Sequence, residues 1–154
     1  YPAESLSGHG PWCLSDLHCW RRPMNGKVYQ LSLDQTLEVI SDLDFGELER
    51  HRLWLAARVS EPILVGVYDS KILCLVGFIP MSMLSESAYI WVHVTEAGAE
   101  HKLVFARHAL KVVRRALEVY PRLFGICFSE ASKVWLRTLG AVFVNDKEFE
   151  IRRV

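Results

Sequence analysis

A chain of 154 residues with 18 basic and 18 acidic side chains carries no formal net charge. That balance argues against a nucleic-acid binder working through bulk electrostatics, because such domains show a strong basic excess. Apolar residues make up 51% and aromatics 11%, which excludes a disordered chain and gives one domain the material for a core. No apolar run approaches the ~18–20 residues of a membrane span, and the first residues lack a basic-then-apolar signal pattern. Nothing in the sparse cysteines demands an oxidising compartment.

Residues 1–26 form an irregular arm. Gly8, Gly10, Pro11, Pro23 and Gly26 interrupt it, yet it carries Trp12, Leu14, Leu17 and Trp20. A polar tail has no use for two tryptophans, so the arm is expected to dock its aromatics, either on its own domain or on a partner. His9, Cys13, His18 and Cys19 offer zinc-type donors. Their spacing is irregular and adjacent His18 and Cys19 make an awkward ligand pair, so no metal is expected. Unpaired surface residues or a local disulfide are the alternatives.

Residues 27–154 read as a run of alternating elements. Lys27–Leu31 suits a strand, and Ser32 or Asp34 can cap the helix behind it, with Leu37, Val39 and Ile40 apolar. The stretch 42–46 breaks that helix. A second is expected over 47–59, with Leu48, His51 or Arg52, Leu55 and Val59 at helical steps. Pro62 restarts the chain as strand over 63–68. Asp69-Ser70-Lys71 is a tight turn, and 72–79 answers it as an antiparallel partner carrying Cys74 as a small buried residue. A loop with Met81, Met83 and Leu84 leads to a strand over 88–95. A turn at 96–100 precedes one long helix over 101–120, with Leu103, Ala106, Leu110, Val113, Leu117 and Tyr120 on its apolar face. Pro121 ends it, and 122–128 is a strand containing Cys127. Strand, crossover helix and strand make a right-handed βαβ unit with parallel strands. Its first turn is where such units place a phosphate. A helix over 130–138, a strand over 139–144, a turn and a last strand over 148–154 complete the chain. The fold class is therefore α+β: a mixed, mostly antiparallel sheet with helices on both faces and one parallel crossover.

This order, over nearly all of residues 27–154, resembles the GNAT acyltransferase fold, with Leu139-Gly140-Ala141 standing for the family's Leu-Gly-Phe step after the short helix. Ile90-Trp91, Thr95, Phe105-Ala-Arg107, Tyr120-Pro-Arg-Leu-Phe124 and Val134-Trp-Leu-Arg-Thr-Leu-Gly140 are similar to the GNAT-like proteins of short-tailed bacteriophages, a group that includes the internal virion protein of podoviruses. The resemblance implies a virus-encoded protein, located in the particle or the host cytoplasm. Its partners would be other virion proteins, with Trp12 and Trp20 as contacts, and self-association stays open. It also implies that the fourth and fifth strands splay around acetyl-CoA, with contacts at Val94, Thr95, Ala97, Gly98, Ala99 and Lys102.

Acyl transfer from a thioester needs a phosphate cradle, a base for the attacking amine and a proton donor for the leaving thiolate. The turn keeps Gly98 between Ala97 and Ala99, but Glu96 and Glu100 flank it and only Lys102 compensates. A carboxylate 4–6 Å from a phosphate costs on the order of 3–4 kcal/mol at an effective dielectric of ~20. Counting back from Gly140 places Ser129 where active family members carry Asn, and Leu136 where they carry the proton-donating Tyr. Leucine has no proton to give. Trp135 is adjacent, but an indole N–H is no practical acid, and Ser129 suits a helix cap. His93, on one strand face with Trp91 and Thr95, is the candidate base; His101, His108 and Glu130 are weaker. Lys102, Arg107, Lys111, Arg114 and Arg115 read as a solvated helix face. The balance favours a virion component without transferase activity, with an acetyl-CoA-dependent N-acetyltransferase as the alternative.

Overall fold

The computed structural model describes residues 26–154, so Trp12, Trp20 and the His9, Cys13, His18 and Cys19 group lie outside the described residues. Strands β1 (Lys27–Leu31), β2 (Ile63–Tyr68), β3 (Lys71–Pro80), β4 (Ser87–Val94), β5 (Arg122–Ile126), β6 (Val142–Phe143) and β7 (Glu148–Arg152) build one sheet in the order β1-β2-β3-β4-β5-β7-β6. Every neighbouring pair is antiparallel except β4 and β5, which are parallel, as the crossover requires.

Alternation along the strands feeds two cores, one on each side of the sheet. Ile63, Val65 and Leu75 point to one side and meet Val39 and Ile40 of α1 (Leu33–Asp42) and Leu53 and Ala57 of α2 (Glu47–Val59). Leu64, Val76, Phe78, Ala88, Ile90 and Leu123 point to the other. They meet Val113 and Ala116 of α4 (Lys102–Val119) and Leu136 of α5 (Glu130–Thr138). Ser32, not Asp34, caps α1: its hydroxyl accepts from the Gln35 N–H at 3.2 Å while the Gln35 side chain accepts from the Ser32 N–H at 2.9 Å. The β2–β3 turn places Asp69 and Ser70 at φ of 50° and 60°, the left-handed pair that a two-residue hairpin needs.

Four local expectations need correction. The line Leu48, Arg52, Leu55, Val59 of α2 faces solvent, and Leu53 and Ala57 on another side of the helix are the buried residues. The segment 96–120 is two helices: α3 (Glu96–Glu100) and α4 are separated by His101 at φ −109° and ψ 51°. The inner face of α4 is set by Val104, Val113 and Ala116, while Leu103 is 74% exposed. The strand expected over 139–144 reduces to Val142 and Phe143, because the chain first closes the end of α5, where the Gly140 and Ala141 N–H groups bond the Arg137 and Leu136 carbonyls at 3.0 and 3.1 Å.

Candidate functional site: the open end of β4 and β5

β4 and β5 pair only at Ser87–Arg122, Ala88–Leu123 and Tyr89–Phe124. Beyond Phe124, β5 continues with β7, pairing Gly125 with Phe149 and Ile126 with Glu148. The two parallel strands therefore part toward their C-terminal ends. The Thr95 N–H bonds the Leu73 carbonyl of β3 at 2.9 Å. Strand alternation then turns the N–H and C=O groups of Val94 and Val92 the other way, toward the gap. Val92 and Val94 are 39% and 41% exposed, although they sit in the middle of a seven-stranded sheet.

At the C-terminal end of β4 the chain turns into α3, which packs on β3. The Thr95 hydroxyl accepts from the Gly98 N–H at 3.2 Å and lies 2.6 Å from the Ile72 carbonyl, to which it donates, so the cap is anchored to β3. Ala99 N–H bonds the Thr95 carbonyl at 3.0 Å. The Glu96 and Ala97 N–H groups are then the first-turn donors without an intrahelical acceptor. A Cβ at Gly98 would overlap the Leu73 carbonyl and crowd the Val94 side chain. The glycine thus lets the turn lie on β3. Among the residues expected to contact acetyl-CoA, Val94, Thr95, Ala97 and Gly98 gather at the end of β4. Ala99 and Lys102 instead line a groove with Tyr68 of β2, on the other side of β3.

On the α1–α2 side of β4 stands His93. Its Nδ1 lies 3.1 Å from Glu49 Oε1 of α2, and its ring meets Phe45 edge-on at 4.5 Å. Burial lowers the pKa of His93 from its ordinary value, and the Glu49 carboxylate opposes that shift by charge and hydrogen bond. Trp91, two residues earlier on the same face, covers Gly77 and donates from Nε1 to the Ser60 hydroxyl at 2.7 Å. The other candidate bases lie elsewhere. His101 packs on Tyr68 at 4.8 Å, the His108 ring lies close to Gly26, and Glu130 pairs with Lys133 at 2.7 Å.

On the opposite side, α5 begins at Ser129, whose hydroxyl accepts from the Ser132 N–H at 3.2 Å. Leu136 is buried in the core. Trp135 stacks on Phe105 of α4 with centroids 5.0 Å apart, so an aromatic pair bridges the two helices on that side of the sheet. The Trp135 Nε1 is buried and has no hydrogen-bond partner among the described residues. A buried donor left without an acceptor costs about 1–3 kcal/mol. Burial pushes the Cys74 thiol up to about 11, so it is no nucleophile at neutral pH. No cluster of three or more metal-ligating side chains occurs among the described residues.

Two features escaped the sequence. Glu49 becomes the partner of His93 only when α2 crosses β4. Lys133, spaced like a surface lysine, is buried between Glu130 at 2.7 Å and Asp146 at 3.0 Å, and so ties α5 to the β6–β7 turn.

No family model matches the sequence, and no curated protein matches it significantly. Solved structures do. A protein of Acinetobacter baylyi described as an acetyltransferase superposes with a TM-score of 0.62 at 12% identity, over 85% of this chain and 93% of its own. A protein from an Exiguobacterium species, also described as an acetyltransferase, gives 0.57 at 20% identity, over 84% and 94%. A spermidine N-acetyltransferase chimera from Vibrio cholerae and hSSAT gives 0.58 at 13% identity, over 82% and 95%. The order of elements, the single parallel strand pair that splays, and these superpositions agree: residues 26–154 have the GNAT acetyltransferase fold.

Proposed function

We propose that this domain transfers an acyl group from a coenzyme A thioester to an amine, with His93 as the base. The observation that carries the reading is the His93–Glu49 pair on the diverging half of β4. Burial keeps the imidazole neutral at pH 7, as a base must be. The carboxylate assigns the proton to Nδ1 and leaves Nε2 to take one from the attacking amine.

The carrier fits the open end in two respects. Val92 and Val94 present apolar surface and strand-edge amides to the gap, and the orphaned Trp135 N–H would gain an acceptor from a carrier carbonyl. The thioester supplies an activated acyl group whose leaving group is a thiolate, which departs far more readily than an alkoxide and takes its proton from water, so a dedicated acid at the Leu136 position is dispensable. The test is release of free thiol from acetyl-CoA over a panel of primary amines. The parent should turn over, and His93→Gln should lose at least ~100-fold. No thiol release from the parent with any amine would refute the reading.

A second reading keeps the fold and drops the chemistry: a bacteriophage-encoded particle component that works by surface contact. The Phe105–Trp135 stack favours it, since a carrier entering between α4 and α5 would have to part the two rings. The exposed Leu48, Leu55 and Val59 of α2 would supply contact area. Under this reading millimolar acetyl-CoA leaves the protein unaltered, and the protein co-sediments with purified particles.

A further inference from the structure

We propose, resting on the reading of His93 as an acyl-transfer base, that the acceptor is a primary monoamine carried on an apolar body, and that this body lies against the bare face of β5. α1 and α2 cover one side of the sheet over β2 and β3, through Ile63, Val65 and Leu75. Further along, that side is open. Leu123 and Cys127 belong to the α4–α5 core, so alternation turns Phe124, Ile126 and Phe128 to the side of His93. The Cys127 N–H still bonds the Lys147 carbonyl at 2.8 Å, which carries the alternation past the end of β5. Ile126 is 44% exposed and Phe128 79%. Tyr89 pairs with Phe124 across the parallel strands. Counting on from that pair brings Trp91 level with Ile126 and His93 level with Phe128, on strands that are now parting.

The wall is held in place. Asn145 Oδ1 accepts from the Lys147 and Glu148 N–H groups at 2.9 and 2.8 Å, and the buried Lys133 holds Asp146 at 3.0 Å. This turn sets Lys147 Nζ 5.6 Å from the centre of the Phe128 ring. The carboxylates of the wall are answered locally. Glu150, beside Phe124, accepts from Arg122 and Arg152 at 2.7 and 2.8 Å, and Glu148, beside Ile126, accepts from the Asn145 amide at 2.5 Å. Polarity across the site therefore has a direction. Glu49, beside His93, attracts the ammonium head of an amine. Ile126 and Phe128 offer apolar surface to the rest of it. Lys147 repels a second ammonium at the far end. The substrate that fits has one amine and an aliphatic or aromatic body.

Steady-state thiol release from acetyl-CoA by the full chain tests this with two matched pairs of amines. Phenethylamine should exceed ethylamine in kcat/KM by about tenfold or more, and butylamine should exceed putrescine, its diamine counterpart. Phe128→Ala, at an exposed position, should cut the phenethylamine-to-ethylamine ratio by about fivefold or more. Lys147→Glu should narrow the gap between butylamine and putrescine, and it keeps the test decisive if Phe128→Ala loses the fold. Equal kcat/KM within each pair, or a preference for putrescine, overturns the proposal and leaves acyl transfer standing. No turnover with any amine removes acyl transfer, and calorimetric titration with phenethylamine alone then decides the wall: binding that Phe128→Ala weakens keeps it as an amine site, and no binding up to millimolar amine overturns it. A dimer that Phe128→Ala splits into monomers would also overturn it, since a second copy would then cover the wall.

Discussion

The two halves of β4 have the same neighbours in sequence and opposite fates. Ala88, paired with Leu123 of β5, and Ile90 are buried in the lower half in the core that α4 covers. Val92 and Val94 continue the same alternation in the upper half, yet remain about two-fifths exposed at 39% and 41% because β5 has turned to β7. Composition does not separate the halves. Strand pairing does: where a sheet gives up hydrogen bonds between parallel neighbours, it leaves amides and apolar surface facing a gap, with His93 on the α1–α2 side of the sheet and Trp135 on the α4–α5 side. Stability is expected to reside in the lower half and chemistry in the upper half.

Substitutions can break or sharpen that contrast. The largest loss is expected from Phe78→Ala, which empties a fully buried site in the sealed core and should cost about 3–5 kcal/mol in urea unfolding. Gly98→Ala comes next. Its methyl group would overlap a backbone carbonyl that no rotamer change can clear, for about 1–3 kcal/mol. Ser129→Ala removes the α5 cap and should cost about 1 kcal/mol, with little effect on transfer if the hydroxyl is structural. Val92→Ser, in the open half, should move stability by no more than about 0.5 kcal/mol while weakening carrier binding. Equal destabilisation by Phe78→Ala and Val92→Ser would dissolve the contrast.

The pH profile sharpens it further. His93 in the folded chain has a pKa below its ordinary 6.5. Between the folded and unfolded values the unfolded chain binds more protons, so stability rises with pH across that window. The contribution is present above 6.5 and is lost as pH falls through the folded value. Comparing parent with His93→Gln isolates it from His108, which burial also holds low. Because Glu49 raises the His93 pKa against burial, Glu49→Gln should move the inflection of transfer to lower pH. An inflection that stays in place would remove Glu49 from the pair.

Much of the fold was legible because the strands alternate cleanly and the turns are punctuated by Asp69-Ser70, Pro62 and Pro121. The single parallel pair followed from one strand–helix–strand order. What the sequence hid were choices that depend on distant partners. α2 carries two apolar lines with the same period, Leu48–Leu55–Val59 and Leu53–Ala57, and only the sheet decides which is buried. α3 is too short for any periodic signature, and its boundary is a backbone break at His101. His93 could be named as a base from its strand face, but Glu49 is brought to it by a helix crossing. Leu136 and Ser129 could be placed by counting from Gly140, whereas the Phe105–Trp135 stack joins residues from two helices with no shared pattern.

Calorimetric titration of the full chain with acetyl-CoA tests the central claim most directly, because it asks whether the diverging half of β4 receives a carrier before any amine is chosen. The account predicts saturable binding in the micromolar range that Val92→Asp abolishes while the fold persists. Absence of heat up to millimolar acetyl-CoA, from a protein that unfolds cooperatively, would contradict it.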